Sequence, residues 1–130
     1  MLNVVVLIGA LARPAQDVEL PSGSRLLSLE VTVRRESGPA ETVPVAWFDA
    51  PAWATALDAG AEVIVFGRVR RRFFRSGGST QSRTEVVASK VARASAAGRV
   101  RSLIGDAIAT LDAVAGEPKE GAEPLPLNRW

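Results

Sequence analysis

The stretch RLLSLEVTVRR, residues 25–35, alternates apolar and polar side chains without a break. Leu27, Leu29, Val31 and Val33 fall on one side and Ser28, Glu30, Thr32 and Arg34 on the other. That is the period of a strand with one buried face. A half-buried strand needs a sheet, so the neighbouring runs are read as its partners. NVVVLIGAL (3–11) is rich in β-branched residues and holds Gly9, where a glycine marks a bulge or a sharp bend. TVPVAWFD (42–49) reads as a third strand, and Pro44 within it points to an edge or a bulge. AEVIVFGRVRRRFFR (61–75) reads as a long fourth strand kinked at Gly67, and RTEVVASKVARA (83–94) as a fifth. ARPAQDVELPSGS (12–24) and ESGPAE (36–41) read as connections, and SGGSTQS (76–82) as a flexible hairpin loop.

Between the third and fourth strands, APAWATALDAG (50–60) is Ala-rich, with Pro51 early and Gly60 at the end. It predicts a short helix of about two turns. Three strands, a helix and two strands, with a glycine bend in the first, predict an all-β fold. The expected form is a five-stranded oligonucleotide/oligosaccharide-binding (OB) barrel with a short helix between strands three and four. The pattern alone leaves five-stranded barrels of other kinds open. From residue 95 the period changes. Val100, Leu103, Ile104, Ala107, Ile108, Leu111 and Val114 or Ala115 follow helical spacing, which predicts a C-terminal amphipathic helix over 95–116. The Pro- and Glu-rich residues 117–130 read as a disordered tail. The expected division is thus a β domain (1–94), a helix (95–116) and a tail (117–130).

The chain has 130 residues, 47% of them hydrophobic, enough for one domain with a real core. It has no cysteine, no histidine and no tyrosine. Disulfides and cysteine-ligated metals are excluded, and the commonest metal ligand and general base are missing. No nucleophile elbow, Walker loop or dinucleotide fingerprint occurs. Asp17 and Glu19 would share a face of an extended segment, but a lone carboxylate pair makes no active site. The expectation is a non-enzyme with no metal and no cofactor. The apolar start lacks the features of a signal peptide and falls far short of the roughly 20 residues of a membrane span. A cytoplasmic protein is expected.

Charge is unevenly placed. Residues 1–94 hold twelve basic and nine acidic side chains, and residues 95–130 hold four and five. Arg68, Arg70, Arg71, Arg72 and Arg75 crowd one run with Phe73 and Phe74 inside it and no acid. Alternate strand residues share a face about 6.8 Å apart. Arg68, Arg70, Arg72 and Phe74 therefore form one row, and Val69, Arg71 and Phe73 the other. Three cations ending in an aromatic plate can track phosphates and stack a base, as sequence-tolerant strand binding needs. The competing reading is an edge strand guarded by charge.

NVVVLIGAL, LPSG, LSLEVTV, VPVAWF, VFGRVRRRFF and TEVVASKV, in this order, resemble a bacterial single-stranded DNA-binding protein over residues 1–94. The resemblance implies a homotetramer of OB barrels, a single-stranded DNA ligand, no enzymatic activity and a place near the nucleoid in replication, recombination or repair. It implies that Phe74, seven residues after Gly67, stands at a stacking position, and that Phe48 stands at a second. Trp47 would take the place of Phe48 if the strand bulged. Arg34 and Arg35 end strand two, where the family sets basic and polar residues against the DNA backbone. Phe66, Phe73 and Trp53 are read as packing residues. The chain also departs from the family. Ser37 stands where another stacking tryptophan is expected, the helix is shorter, and aromatics are only 5%. The chain ends PLPLNRW rather than in the acidic, phenylalanine-terminated tip that recruits replication and repair proteins. These departures imply a weaker or smaller site and a paralogue with a narrower role. Two other roles fit the same residues: an OB-fold adaptor of the primosome type with weak DNA contact, and an RNA-binding module.

Overall fold

A computed structural model describes residues 2–115. Six strands and one helix follow in order: β1 (Val5–Leu11), β2 (Gln16–Glu19), β3 (Arg25–Val33), β4 (Glu41–Phe48), β5 (Glu62–Ser76), β6 (Ser79–Arg93) and α1 (Ala97–Ala115). The sheet order is β1-β5-β6-β4-β3-β2, and β1 also pairs with β3. All neighbours are antiparallel except β4 and β6, which run parallel through Val45 and Ala46. The ladders therefore lead from β1 round to β3 and back to β1, with β2 outside the circuit.

The alternation in β3 falls as the sequence predicts, with Leu27, Leu29 and Val31 all inside. They meet Val45 and Trp47 of β4, Val63 and Val65 of β5, and Val86 of β6 in one cluster. Each large side chain so buried stabilises the fold by about 1.5–3 kcal/mol. Gly9 lies where β1 passes from β5 to β3, and a Cβ there would stand 2.3 Å from the Thr32 carbonyl oxygen. That close approach is the bend the sequence signals. Pro44 pairs with Glu30 in regular register where β4 has no second neighbour, so it occupies an edge.

Several expectations need correction. The described residues form six strands rather than five: QDVE, inside the expected connection, pairs with the first residues of β3. The segment lacks an apolar alternation, and the open edge of β3 recruits it. The expected two-turn helix is a 3-10 turn, Ala52–Ala56. Ala54 and Leu57, three apart, are both buried, which suits a three-residue pitch. Leu57 turns extended at φ −65°, ψ 122°, and its carbonyl accepts from the Ala15 N–H at 2.9 Å, which stops the helix. The expected seven-residue hairpin loop is a two-residue turn. Gly77 and Gly78 take φ 58° and 81°, the left-handed pair that a tight hairpin requires, and β6 starts at Ser79.

Helix α1 covers the outer side of β5 and β6. Leu103 packs on Ile64 and Ala92, with Val100 and Phe66 beside them, and Lys90 of β6 pairs with Asp106. Only part of the predicted stripe is used. Ile104, Ile108, Leu111 and Val114 remain exposed. The expected tail, 117–130, lies outside the described residues.

Candidate nucleic-acid interface

The Gly77-Gly78 turn sets the register of the β5–β6 hairpin. Ser76 pairs with Ser79, Phe74 with Gln81, Arg72 with Arg83, Arg70 with Glu85 and Arg68 with Val87. Both strands are 15 residues long, against eight for β4, so the hairpin runs past the rest of the sheet. Residues 71–84, its far end, are exposed throughout and hold four arginines and no carboxylate.

The row Arg68, Arg70, Arg72, Phe74 lies on the outer face. Phe48 joins it across β6, because β4 remains regular and places Phe48 outward. The Arg70 guanidinium lies 5.5 Å from the centre of the Phe48 ring, and that of Arg72 lies 5.6 Å from Phe74. Both distances suit a cation over a π face. Between the arginines sits Glu85, only 6% exposed. Its Oε1 accepts from Arg70 Nη2 at 2.6 Å and Nε at 3.2 Å, and lies 3.5 Å from Arg72 Nε. A groove of about 260 Å³ runs beside them, bordered by Leu26, Ser28, Phe48, Arg70, Arg72 and Arg83. The face thus offers two phenyl rings, each under a planar cation, joined through one shared carboxylate.

The structure divides the other expected residues. Trp47 is a core residue: it is 6% exposed, points inward and meets Trp53 edge-on at 6.0 Å. With no bulge in β4, parity alone takes it off the outer face. Arg34 and Arg35 follow the far end of β3, eight or nine residues from Leu26, the partner of Phe48. At about 3.3 Å per residue that is up to about 26–30 Å of chain from the partner of Phe48. Arg34 borders a separate cleft with Ile8, Thr32 and Glu62, and Arg35 pairs with Glu41 at 3.3 Å. Phe73, expected to pack, is 66% exposed, because nothing lies under the projecting hairpin. Trp53 is 39% exposed rather than sealed in the core. Glu85 was not anticipated, although the Gly-Gly turn, placed correctly, sets it opposite Arg70.

Away from this face, the hydrogen bond from Arg25 to the Asp17 carboxylate raises the arginine's pKa above its already high ordinary value. No cluster of three or more potential metal ligands occurs among the described residues. No helix there is long and apolar enough to cross a membrane.

No curated protein matches the sequence. Residues 2–94 match the model of the single-strand binding protein family, which takes in all six strands and stops before α1. On that match, with the strand order and the arginine-capped aromatic face behind it, the chain belongs to the single-strand binding protein family.

Proposed function

We propose that single-stranded DNA lies across the outer face of β4, β6 and β5. Its phosphates follow Arg68, Arg70 and Arg72, and its bases stack on Phe48 and Phe74. One observation carries this reading: two phenyl rings on different strands each lie beneath an arginine of one row. Unpaired bases offer faces to such rings, whereas duplex bases are already stacked. Contacts to rings and phosphates read little sequence. The protein acts by binding, without a chemical step or a cofactor, during replication, recombination or repair near the nucleoid. Arg34 and Arg35 meet a later part of the strand's path, past the far end of β3. Exposed apolar side chains on β1 (Val6, Ile8) and α1 (Ile104, Ile108) support a homo-oligomer, a tetramer in the family pattern.

The test is fluorescence anisotropy with a labelled oligothymidine of 35 nucleotides and a duplex of equal length. The native chain prefers the single strand. Phe74→Ala costs about 1–3 kcal/mol, the worth of one stacked base. Equal affinity for duplex, or an unchanged affinity in Phe74→Ala, overturns the proposal. An RNA strand of matched sequence separates DNA binding from RNA binding.

A further inference from the structure

A second aromatic and cationic place lies at the other end of β6. Trp53, on the 3-10 turn, keeps 39% of its surface exposed. The Arg93 guanidinium stands 6.0 Å from its ring centre. Two adjoining cavities, of about 320 and 210 Å³, open beside it and share Trp53, Val91, Ala92 and Arg99 as lining. Lys90 borders the smaller one, and no carboxylate borders either. Arg93 and Arg99 pair with no carboxylate among the described residues, whereas Lys90 is held by Asp106. The cleft therefore combines a half-open indole with two uncommitted guanidiniums.

We propose that this cleft is a second contact site for the same single strand, Trp53 stacking a base and Arg93 and Arg99 holding the flanking phosphates. The inference rests on the strand-binding reading of the outer face. Continuity favours a nucleic acid as occupant. Ser89 and Lys90, which border the smaller cavity, follow Glu85 on β6 by four and five residues, about 13–17 Å. A strand that runs along β6 past Glu85 meets this cleft next. The site also depends on α1, since Arg99 lies beyond the residues that match the family. The helix thereby extends the strand's path rather than only covering the sheet.

The experiment compares the native chain with Arg93→Ala/Arg99→Ala, two exposed positions whose truncation leaves the core intact. Labelled oligothymidines of 8 and 35 nucleotides are titrated at several salt concentrations. Eight nucleotides fall within the range one OB fold occupies, about 4–16, and fill the outer face alone. The double variant is expected to bind the 35-mer at least fivefold more weakly, with a salt slope shallower by about 1.4, or about 0.7 for each lost cation. Its affinity for the 8-mer stays native. Unchanged binding of the 35-mer, or equal losses on both lengths, overturns the second site. A labelled oligoglutamate that binds the native chain but not the double variant, with DNA binding unaffected, overturns it in favour of an acidic peptide. Failure of the native chain to bind even the 8-mer refutes the outer-face reading instead, so the two failures are told apart.

Discussion

Glu85→Gln asks what an acid is doing in the middle of a phosphate-binding face. The carboxylate is 6% exposed and accepts two hydrogen bonds from Arg70, with Arg72 3.5 Å away. Glutamine is nearly the same size and keeps a carbonyl oxygen for Arg70, so the change removes charge and little else. A phosphate held about 6 Å from the carboxylate is repelled by about 0.7 kcal/mol in water and about 2.8 kcal/mol at an effective dielectric of about 20. The face is open on one side, so about 1.4 kcal/mol applies, or about tenfold tighter strand binding. Releasing one cation steepens the salt slope by about 0.7, so the gain shrinks about 2.6-fold between 50 and 200 mM salt. The fold loses about 1–2 kcal/mol, because a charged hydrogen bond is weakened and Arg70 is only partly shielded. Anisotropy titrations of both proteins at 50, 100 and 200 mM salt, with a denaturant melt of each, read all three quantities. Weaker binding at every salt concentration would mean that Glu85 positions the arginines for the strand rather than competing with it. Unchanged affinity would mean that the strand never reaches Arg70. Either result refutes the reasoning.

Two further substitutions test the frame that carries this face. A Cβ on Gly67 would stand 2.2 Å from the Val87 carbonyl oxygen and 3.0 Å from the Ala88 Cα; Gly67→Ala therefore costs about 3 kcal/mol and lowers the melting temperature by on the order of 10 °C, and a melt within a degree or two of native contradicts this. Leu103→Ala removes the main side chain seating α1 on Ile64 and Ala92, at about 2–3 kcal/mol; hydrogen exchange should quicken across Ala97–Ala115 while β3 and β5 stay protected, and equal loss in the strands would tie the helix to global stability.

How far the sequence could be read depended on how each feature is encoded. The alternation of β3 survives in the structure because period two and one-sided burial are the same statement. Phe48 and Trp47 were separable by parity, and the regular strand resolved them. β2 was not legible: QDVE offers one partly buried residue, Val18, and becomes a strand only because β3 presents an unpaired edge. The 3-10 turn was hidden because its alanines favour a helix, while its length is set by Leu57 entering the core. Phe73 was misplaced because the length of the hairpin relative to β4 decides whether anything lies beneath it. Arg34 and Arg35 rest on the family resemblance alone, because their place eight or nine residues beyond Leu26 on β3 brings them into none of the contacts of Phe48. Trp53 reads as a plug in the sequence, because a tryptophan on an alanine-rich segment gives no hint of the cleft that α1 forms beside it.

The geometry of the outer face follows from two local features of β6. A two-residue turn at Gly77-Gly78 places Glu85 opposite Arg70; one residue more or fewer would send Glu85 to the other side of the hairpin. The same register turns Val86 and Ala88 into the core. Continued without interruption, it would also turn Lys90 inward and Val91 outward. The register shift opposite Phe66 and Gly67 prevents this by leaving Ser89 as an extra residue, whose hydroxyl donates to the Phe66 carbonyl at 3.1 Å. Val91 then joins the core and Lys90 faces Asp106 on α1. Gly67 must lack a side chain because a Cβ there would run into the Val87 carbonyl oxygen of β6. Turn, bulge and glycine therefore act as one constraint. Core burial selects a register, and that register also places a carboxylate between two arginines that cap two phenyl rings. A change that kept the arginines but altered the turn or the bulge would lose this face while preserving its composition, which is why the count of basic residues alone does not define the site.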